Sequence, residues 1–216
     1  MLDGQHRLLA CIKADVSFPS LIVWGLSNDS QCVIDDQKKR TVGDQLQLNM
    51  GLKNSKAKVA LANSIVSVIK TDHVVLSANT AKDIIDLYED EMDIIFNDCG
   101  KLIPGLRFTP TVAGIVIAAK VNMDKAICFR DKYFSGAGLF RGDPALTLRN
   151  FMLSCIHGRP NGITFRIMMT HYSTLALMHE FLGTSFTRMS ASSKGTKFFL
   201  EKQQQFVDLI NDCLDI

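Results

Sequence analysis

Cysteine pairs at the spacings used for metal binding or redox exchange are missing from this chain. Its six cysteines, Cys11, Cys32, Cys99, Cys128, Cys155 and Cys213, form no C-x-x-C pair, and most sit within apolar segments. That scatter excludes a zinc ribbon and a disulfide framework, and fits buried free thiols in a reducing compartment. Long apolar runs are missing too. The most apolar segment, Val112 to Ala119, ends at Lys120, whereas a membrane-spanning helix needs about 20 such residues. The basic stretch followed by an apolar run that marks a secretory signal is absent from the opening residues. The reading is a cytoplasmic chain with no membrane partner. Neither charge is in excess: 24 Lys+Arg against 22 Asp+Glu leave a formal net charge of +2, so contact with a polynucleotide requires a local basic patch. Internal repeats and low-complexity tracts are absent as well.

What the chain has is helical periodicity. With 216 residues, 47% of them hydrophobic, it can bury the core of one large domain or two small ones. Leu8, Leu9 and Ile12 place an apolar stripe on a short helix that begins just after Gly4. Pro19 punctuates. Ser20-Leu21-Ile22-Val23-Trp24, closed by Gly25, is the best strand candidate, while His73-Val74-Val75-Leu76 fits a strand and a loop alike. Ser27 or Asn28 is placed to cap a helix through Ile34. Thr41-Val42-Gly43-Asp44 has the spacing of a capping box, with Leu46 and Leu48 following. Helical signals dominate from there. Lys56 to Ile69 is amphipathic. Asn79-Thr80 opens a helix carrying Ile84, Ile85, Tyr88, Ile94 and Ile95, with Glu89, Asp90, Glu91 and Asp93 as a hydrated outer face and Gly100 as its stop. Thr109-Pro110 predicts the start of a helix to about Asp124, and Asp143-Pro144 the start of another through Ile156. Helices from Thr164 to Phe181 and from Lys197 to Leu214 complete the pattern.

The chemistry concentrates at Asp3-Gly4-Gln5-His6-Arg7, where the first helix starts. Backbone N–H groups and the positive end of the helix dipole make an anion site at such a position. Gly4 lets the backbone approach a phosphate closely. Arg7 can fork onto two phosphate oxygens, while Gln5 and His6 donate single hydrogen bonds. Asp3 can cap the helix or hold a magnesium ion. As a bare string, the same residues also suit a bland arrangement in which Asp3 is an N-cap, Arg7 a surface charge and His6 a packed side chain.

Asp3-Gly4-Gln5-His6-Arg7-Leu8 followed by Ala10 resembles the signature of phage and bacterial proteins of the ParB/sulfiredoxin-like superfamily. The likeness continues through Leu21–Trp24 and Gly25-Leu26, then Asp36 and Lys39-Arg40-Thr41 to Asp44 and Leu46. In the helical part it includes Gly138-Leu139, Gly142-Asp143-Pro144 and Leu148-Arg149. The resemblance implies a small α/β module whose glycine–arginine turn binds nucleotide phosphates at a helix N-terminus. ParB binds CTP there, and relatives include kinases, sulfiredoxin and nuclease-like proteins. The chain departs from the pattern in places. Gln5-His6-Arg7 replaces the Glu-Arg-Arg typical of chromosome-partitioning ParB, and Gln5 or His6 stands where sulfiredoxin has its reactive cysteine. The acidic base of the kinase-like relatives lies upstream of the motif, in sequence this chain does not hold. Because Met1-Leu2 runs directly into the motif, a natural protein longer at its N-terminus is expected.

The expected fold is therefore α+β, with a ParB-like α/β remnant over residues 1–48 and a mostly helical domain over 49–216. The expected function is binding of a nucleotide or of DNA phosphate by a protein of phage or mobile-element type, through Gly4, Gln5, His6 and Arg7. A nucleoside triphosphate with magnesium at Asp3 is the implied cofactor. Two other readings stay open: a magnesium-dependent nuclease or kinase-type phosphotransferase of the same fold, and a non-catalytic protein-interaction module with a vestigial motif. Lys38, Lys39 and Arg40 read as a DNA-backbone contact or as a solvated basic turn. His171 and His179 lie two helical turns apart, too far to share a metal at the i, i+4 spacing, and read as polar surface positions. Arg141-Gly142-Asp143 reads as the turn before a capped helix.

Overall fold

Side-chain caps or a first-turn proline mark four of the eleven helix starts among the described residues of this chain, seen in a computed structural model. The structure describes residues 4–25, 40–97, 106, 108–155, 163–190 and 192–214. They fall into two packing units, one up to Thr41 and one from Val42 onward. The first unit contains α1 (Gln5–Ala14). The second contains α2 (Val42–Met50), α3 (Ser55–Lys70), α4 (Ala78–Leu87), α5 (Glu89–Asn97) and α6 (Thr109–Ala119). It continues with α7 (Met123–Ser135), α8 (Pro144–Ser154), α9 (Ile163–Leu182), α10 (Lys194–Glu201) and α11 (Gln204–Leu214).

The α+β expectation, with its ParB-like α/β part, is corrected. Among the described residues 71% are helical and none forms a strand, so the fold is all-α. In the first unit, α1 starts after Gly4 and ends at Asp15, whose N–H bonds to the Cys11 carbonyl. Leu21–Trp24, the best strand candidate, forms no ladder, and Leu21 (93%) and Trp24 (85%) are exposed. Strand preference is realised only against a neighbouring strand, and the described residues offer none. His73–Leu76 is likewise a loop, tied down by side chains: Val74 N–H donates to Ser67 Oγ at 3.2 Å and Leu76 N–H to Asn63 Oδ1 at 3.0 Å.

In the second unit, α6 is buried from Pro110 to Ala119, as expected of a helix that is apolar on every side. It packs against α9, α3, α7 and α5. Small residues permit the closest approaches. A side chain on Gly114 would come within 2.6 Å of Ser173 on α9, and one on Gly195 of α10 within 2.3 Å of the Leu175 backbone nitrogen. Buried hydroxyls at these crossings bond to one another or to backbone: Ser173 Oγ donates to the Thr111 carbonyl at 2.8 Å, and Thr174 Oγ1 lies 2.8 Å from Thr196 Oγ1.

Asp143-Pro144 starts α8 as its sequence predicts, with Asp143 Oδ1 accepting Ala145 N–H at 2.8 Å. Three of the long expected helices are interrupted. The one from Asn79 starts one turn-residue earlier, capped by Ser77 through Thr80 N–H, and stops at Leu87. The one from Thr109 ends at Ala119, and Asn122 caps a new start by accepting Lys125 N–H at 2.9 Å. The last breaks between Glu201 and Gln204.

These interruptions meet. Tyr88, at the first break, donates its hydroxyl to Gln203 Oε1 at 3.2 Å, and Gln203 Nε2 donates to the Ile117 carbonyl of α6 at 3.3 Å. Lys120, where α6 ends, donates to the Leu87 carbonyl at 2.7 Å, pairs with Glu91 at 3.2 Å and lies 4.5 Å above the Phe206 ring. Burial and the charge of Glu91 push the Tyr88 phenol far above its ordinary range, so it stays a donor. No helix among the described residues is long and apolar enough to cross a membrane.

Tyr88→Phe should cost about 1–2 kcal/mol by orphaning the buried Gln203 oxygen. Glu91→Ala should cost more, about 2–3 kcal/mol, because it leaves the half-buried Lys120 without its counter-charge. Urea denaturation checks the order; a neutral Tyr88→Phe would show that the junction does not hold the helix breaks together.

Candidate functional site

The turn singled out by sequence is built as a helix start. Gly4 takes the left-handed conformation (φ 86°, ψ 1°) immediately ahead of α1, which L residues with a Cβ rarely adopt. A Cβ there would meet nothing within 4 Å, so the backbone angle, not crowding, is what calls for glycine. The Gly4 carbonyl accepts Leu8 N–H at 3.0 Å, closing the first helical turn. Gln5, His6 and Arg7 follow on that turn, and all three are exposed. The structure therefore brings Gly4, Gln5, His6 and Arg7 together. Arg40 is half-buried just ahead of α2. Asp3, Lys38 and Lys39 lie outside the described residues, as do the helix expected through Ile34, Gly100, Cys32 and Cys99.

Other candidates change character. Of the acidic face, Glu89 and Asp90 are exposed, but Glu91 is buried against Lys120, and Asp93 pairs with the buried Lys58 at 2.7 Å. Those two acids hold the fold and are not simply hydrated. His171 and His179 are half-buried, not surface positions. His171 Nδ1 lies 2.7 Å from Thr196 Oγ1, joining α9 to α10. His179 stacks on Phe186 at 4.5 Å and lies 2.8 Å from Thr184 Oγ1. Burial lowers both imidazole pKa values below the ordinary 6.5. Asp143 is wholly buried; its second oxygen, Oδ2, has only Lys132 at 3.6 Å, and Lys132 bonds Glu180 at 2.8 Å. That bond to Glu180 raises the Lys132 pKa. Cys11, Cys155 and Cys213 are half-buried and Cys128 is exposed, so none of the described thiols is fully buried as expected. Among the described residues, no group of three or more His, Cys, Asp or Glu side chains is placed to hold a metal ion.

Two cavities escaped the sequence reading. One, of about 290 Å³, opens between α3 and α9, with Asn63, Ser64 and Ser67 on one wall, Arg166 and Thr170 on the other, and His73 at the loop. Its neighbour, about 430 Å³, is lined by Thr71, Asp72, Met168, His171 and Ser193 among others. The only trace in the sequence is a polar i, i+1, i+4 set on α3, which looks like any solvated helix face. No family model, curated protein or solved structure matches this chain, so its functional reading rests on its own residues.

The two histidines predict an acid-side loss of stability. With its folded pKa depressed, His171 binds fewer protons in the folded than in the unfolded chain, so its contribution is complete above the ordinary value and is lost as pH falls through about 6.5. His171→Gln should flatten the fall of melting temperature between about pH 7 and pH 5, and adding His179→Gln should flatten it further. An unchanged slope in the double variant would remove both residues from the titration.

Proposed function

We propose that this chain binds the phosphate groups of a nucleotide or of DNA through the turn Gly4–Arg7, as a ParB-like protein of phage or mobile-element type working in the cytoplasm. One observation carries the reading: a glycine in left-handed conformation leads directly into a ten-residue helix whose exposed first turn is Gln5-His6-Arg7. At that position backbone N–H groups and the helix dipole favour an anion. Arg7 adds a forked donor that matches two phosphate oxygens. The support is local, since the α/β frame of the ParB-like proteins is not found among the described residues. The acid implied for magnesium, Asp3, lies outside those residues, so the proposal is one of binding and assigns no catalytic step.

A different observation favours the interaction-module reading. Leu9, Ile12, Leu21, Ile22, Val23 and Trp24 are all more than 60% exposed in the first unit, and exposed apolar surface on this scale marks a partner-binding segment.

Charged hydrogen bonds contribute about 1.5–3 kcal/mol, so Arg7→Ala should weaken binding of ATP, CTP, GTP or a short duplex about ten- to a hundredfold. Arg7→Lys should recover part of it, with little change in melting temperature. Calorimetric titration checks this. Equal binding by wild type and Arg7→Ala removes the turn from the site and leaves the interaction-module reading; a large drop in melting temperature instead assigns Arg7 to holding the fold.

A further inference from the structure

We infer that the cleft between α3 and α9 binds a small molecule bearing a phosphate or carboxylate group on a compact apolar body. The hydrogen-bond inventory of its walls points to an anion. Asn63 uses its carbonyl oxygen to accept Leu76 N–H at 3.0 Å, which fixes the amide and leaves its N–H₂ as the group presented to the cleft. Ser67 Oγ accepts Val74 N–H at 3.2 Å, so its remaining O–H is a donor. Ser64 and Thr170 spend their hydroxyl protons on backbone carbonyls one helical turn back, at 2.9 and 3.4 Å. What remains toward the cavity is mainly donor capacity: the Asn63 amide, the Ser67 hydroxyl, His73 and the Arg166 guanidinium.

Among the described residues, no carboxylate lines this cavity. The closest acid along the chain, Asp72, lines the neighbouring cavity and accepts the His73 backbone N–H at 2.6 Å. A donor-rich set, with Ser67 buried, Asn63 half-buried and His73 and Arg166 exposed at the mouth, suits an oxyanion, which is acceptor-only. Arg166 is positioned as well as charged: its guanidinium lies 5.7 Å from the Phe108 ring centre. That is within cation–π range, a contact that leaves the guanidinium N–H groups available.

The loop is tied to the same helix that carries the donors. Asn63 and Ser67, one turn apart on α3, pin residues 74 and 76, and that places His73 and Val74 at the rim. Neither Arg166 nor His73 is required for those ties. Ala60, Val74 and Ile167 supply apolar wall. At about 290 Å³ the space is at the small end of ligand pockets, which run from about 300 to 1,000 Å³. A polynucleotide backbone, which needs a track of cations, is a poor match to a short cleft with one arginine. A small metabolite-sized anion is the match.

The test is a titration of the full chain with inorganic phosphate, glycerol 3-phosphate and succinate, followed by amide chemical shifts that report location. The phosphate and carboxylate arms separate the two sources of the oxyanion. At least one probe should shift the amides of Asn63, Ser67, His73 and Arg166 with one saturating site. Arg166→Ala should weaken that binding about ten- to a hundredfold, and Arg166→Lys should restore part of it. Asn63→Asp keeps the oxygen that accepts Leu76 N–H but replaces the amide donor with a negative charge, and it should abolish binding without unfolding the loop. The inference is overturned if no probe shifts these residues, if the shifts fall elsewhere (on Gln5–Arg7, for example), or if Arg166→Ala and Asn63→Asp bind as wild type does.

Discussion

Lys120, Glu91, Tyr88 and Gln203 form the junction on which the second unit turns. Each sits where a helix has to end or bend. Tyr88 is at the break between α4 and α5, Lys120 follows the last residue of α6, and Gln203 lies between α10 and α11. A helix end buried among other helices carries carbonyls with no intrahelical partner, and these have to be satisfied. Here the Lys120 ammonium takes the Leu87 carbonyl and the Gln203 amide takes the Ile117 carbonyl. The placement also suits the dipoles, with a cation at the C-terminal end of α6 and Glu91 in the first turn of α5. Burying a lysine is costly unless it is paired and hydrogen-bonded; Lys120 has a carboxylate, a carbonyl and two aromatic faces. The helices that meet here are thereby held at fixed ends.

The second constraint is volume. α6 is wholly buried and touches α9 through Gly114 and Ser173, while α10 touches α9 through Gly195. Side chains this small bring backbones close and leave little apolar surface to exchange, so polar groups at the crossings must find partners. The hydroxyls of Ser173, Thr174 and Thr196 do so, and His171 joins the same chain of bonds. α9 is thus fixed by residues three and four positions on from the cavity-lining Thr170. That matters for the cleft: Arg166 and Thr170 belong to a helix whose position is set by the core, and α3 is set by its own buried face from Val59 to Val68. A site between two core-positioned helices keeps its donor spacing without a ligand, which is what low-cost recognition requires.

Much of this was legible in the chain itself. Helix starts marked by Asp143-Pro144 and Thr109-Pro110, and the amphipathic runs over α3 and α9, follow from local chemistry, as does the glycine-led start of α1. The breaks at Tyr88 and Gln203 were not legible, because apolar spacing continues across both: Ile84, Ile85, Tyr88, Met92 and Ile95 are all buried although two helices carry them. What decides a break is a partner more than a hundred residues away, and periodicity has no access to that. Leu21–Trp24 failed as a strand for the reverse reason. Its composition favours extended backbone, but a ladder needs a second strand, and composition does not report whether one exists. The cleft was hidden because Asn63 and Arg166 come from helices far apart in sequence.

The turn at Gly4 and the cleft at Arg166 differ in how they would hold an anion, and the difference lies in what stands beside each exposed arginine: Arg166 shares a cavity with the buried Ser67 and the half-buried Asn63. Arg7 is exposed, so the Coulombic part of its pull on an anion is only about 1 kcal/mol at contact distance and is screened over about 10 Å at moderate salt, the rest of its contribution coming from hydrogen bonding. Affinity at such a turn has to be assembled from several phosphates or several contacts, which favours a polyphosphate tail or a polymer over a single ion. In the cleft, Ser67 is buried and Asn63 is fixed by its bond to the loop, with the exposed Arg166 and His73 at the mouth, so several donors meet one group and the shape of the ligand's body enters the discrimination. A fixed amide and a guanidinium in cation–π contact with a ring select for the direction of approach as well as for charge. On the two proposals, the same elementary preference, donors meeting oxygen anions, would serve two different tasks: loose capture of extended charge at an exposed helix start, and shape-limited recognition of a single group between two helices held by the core.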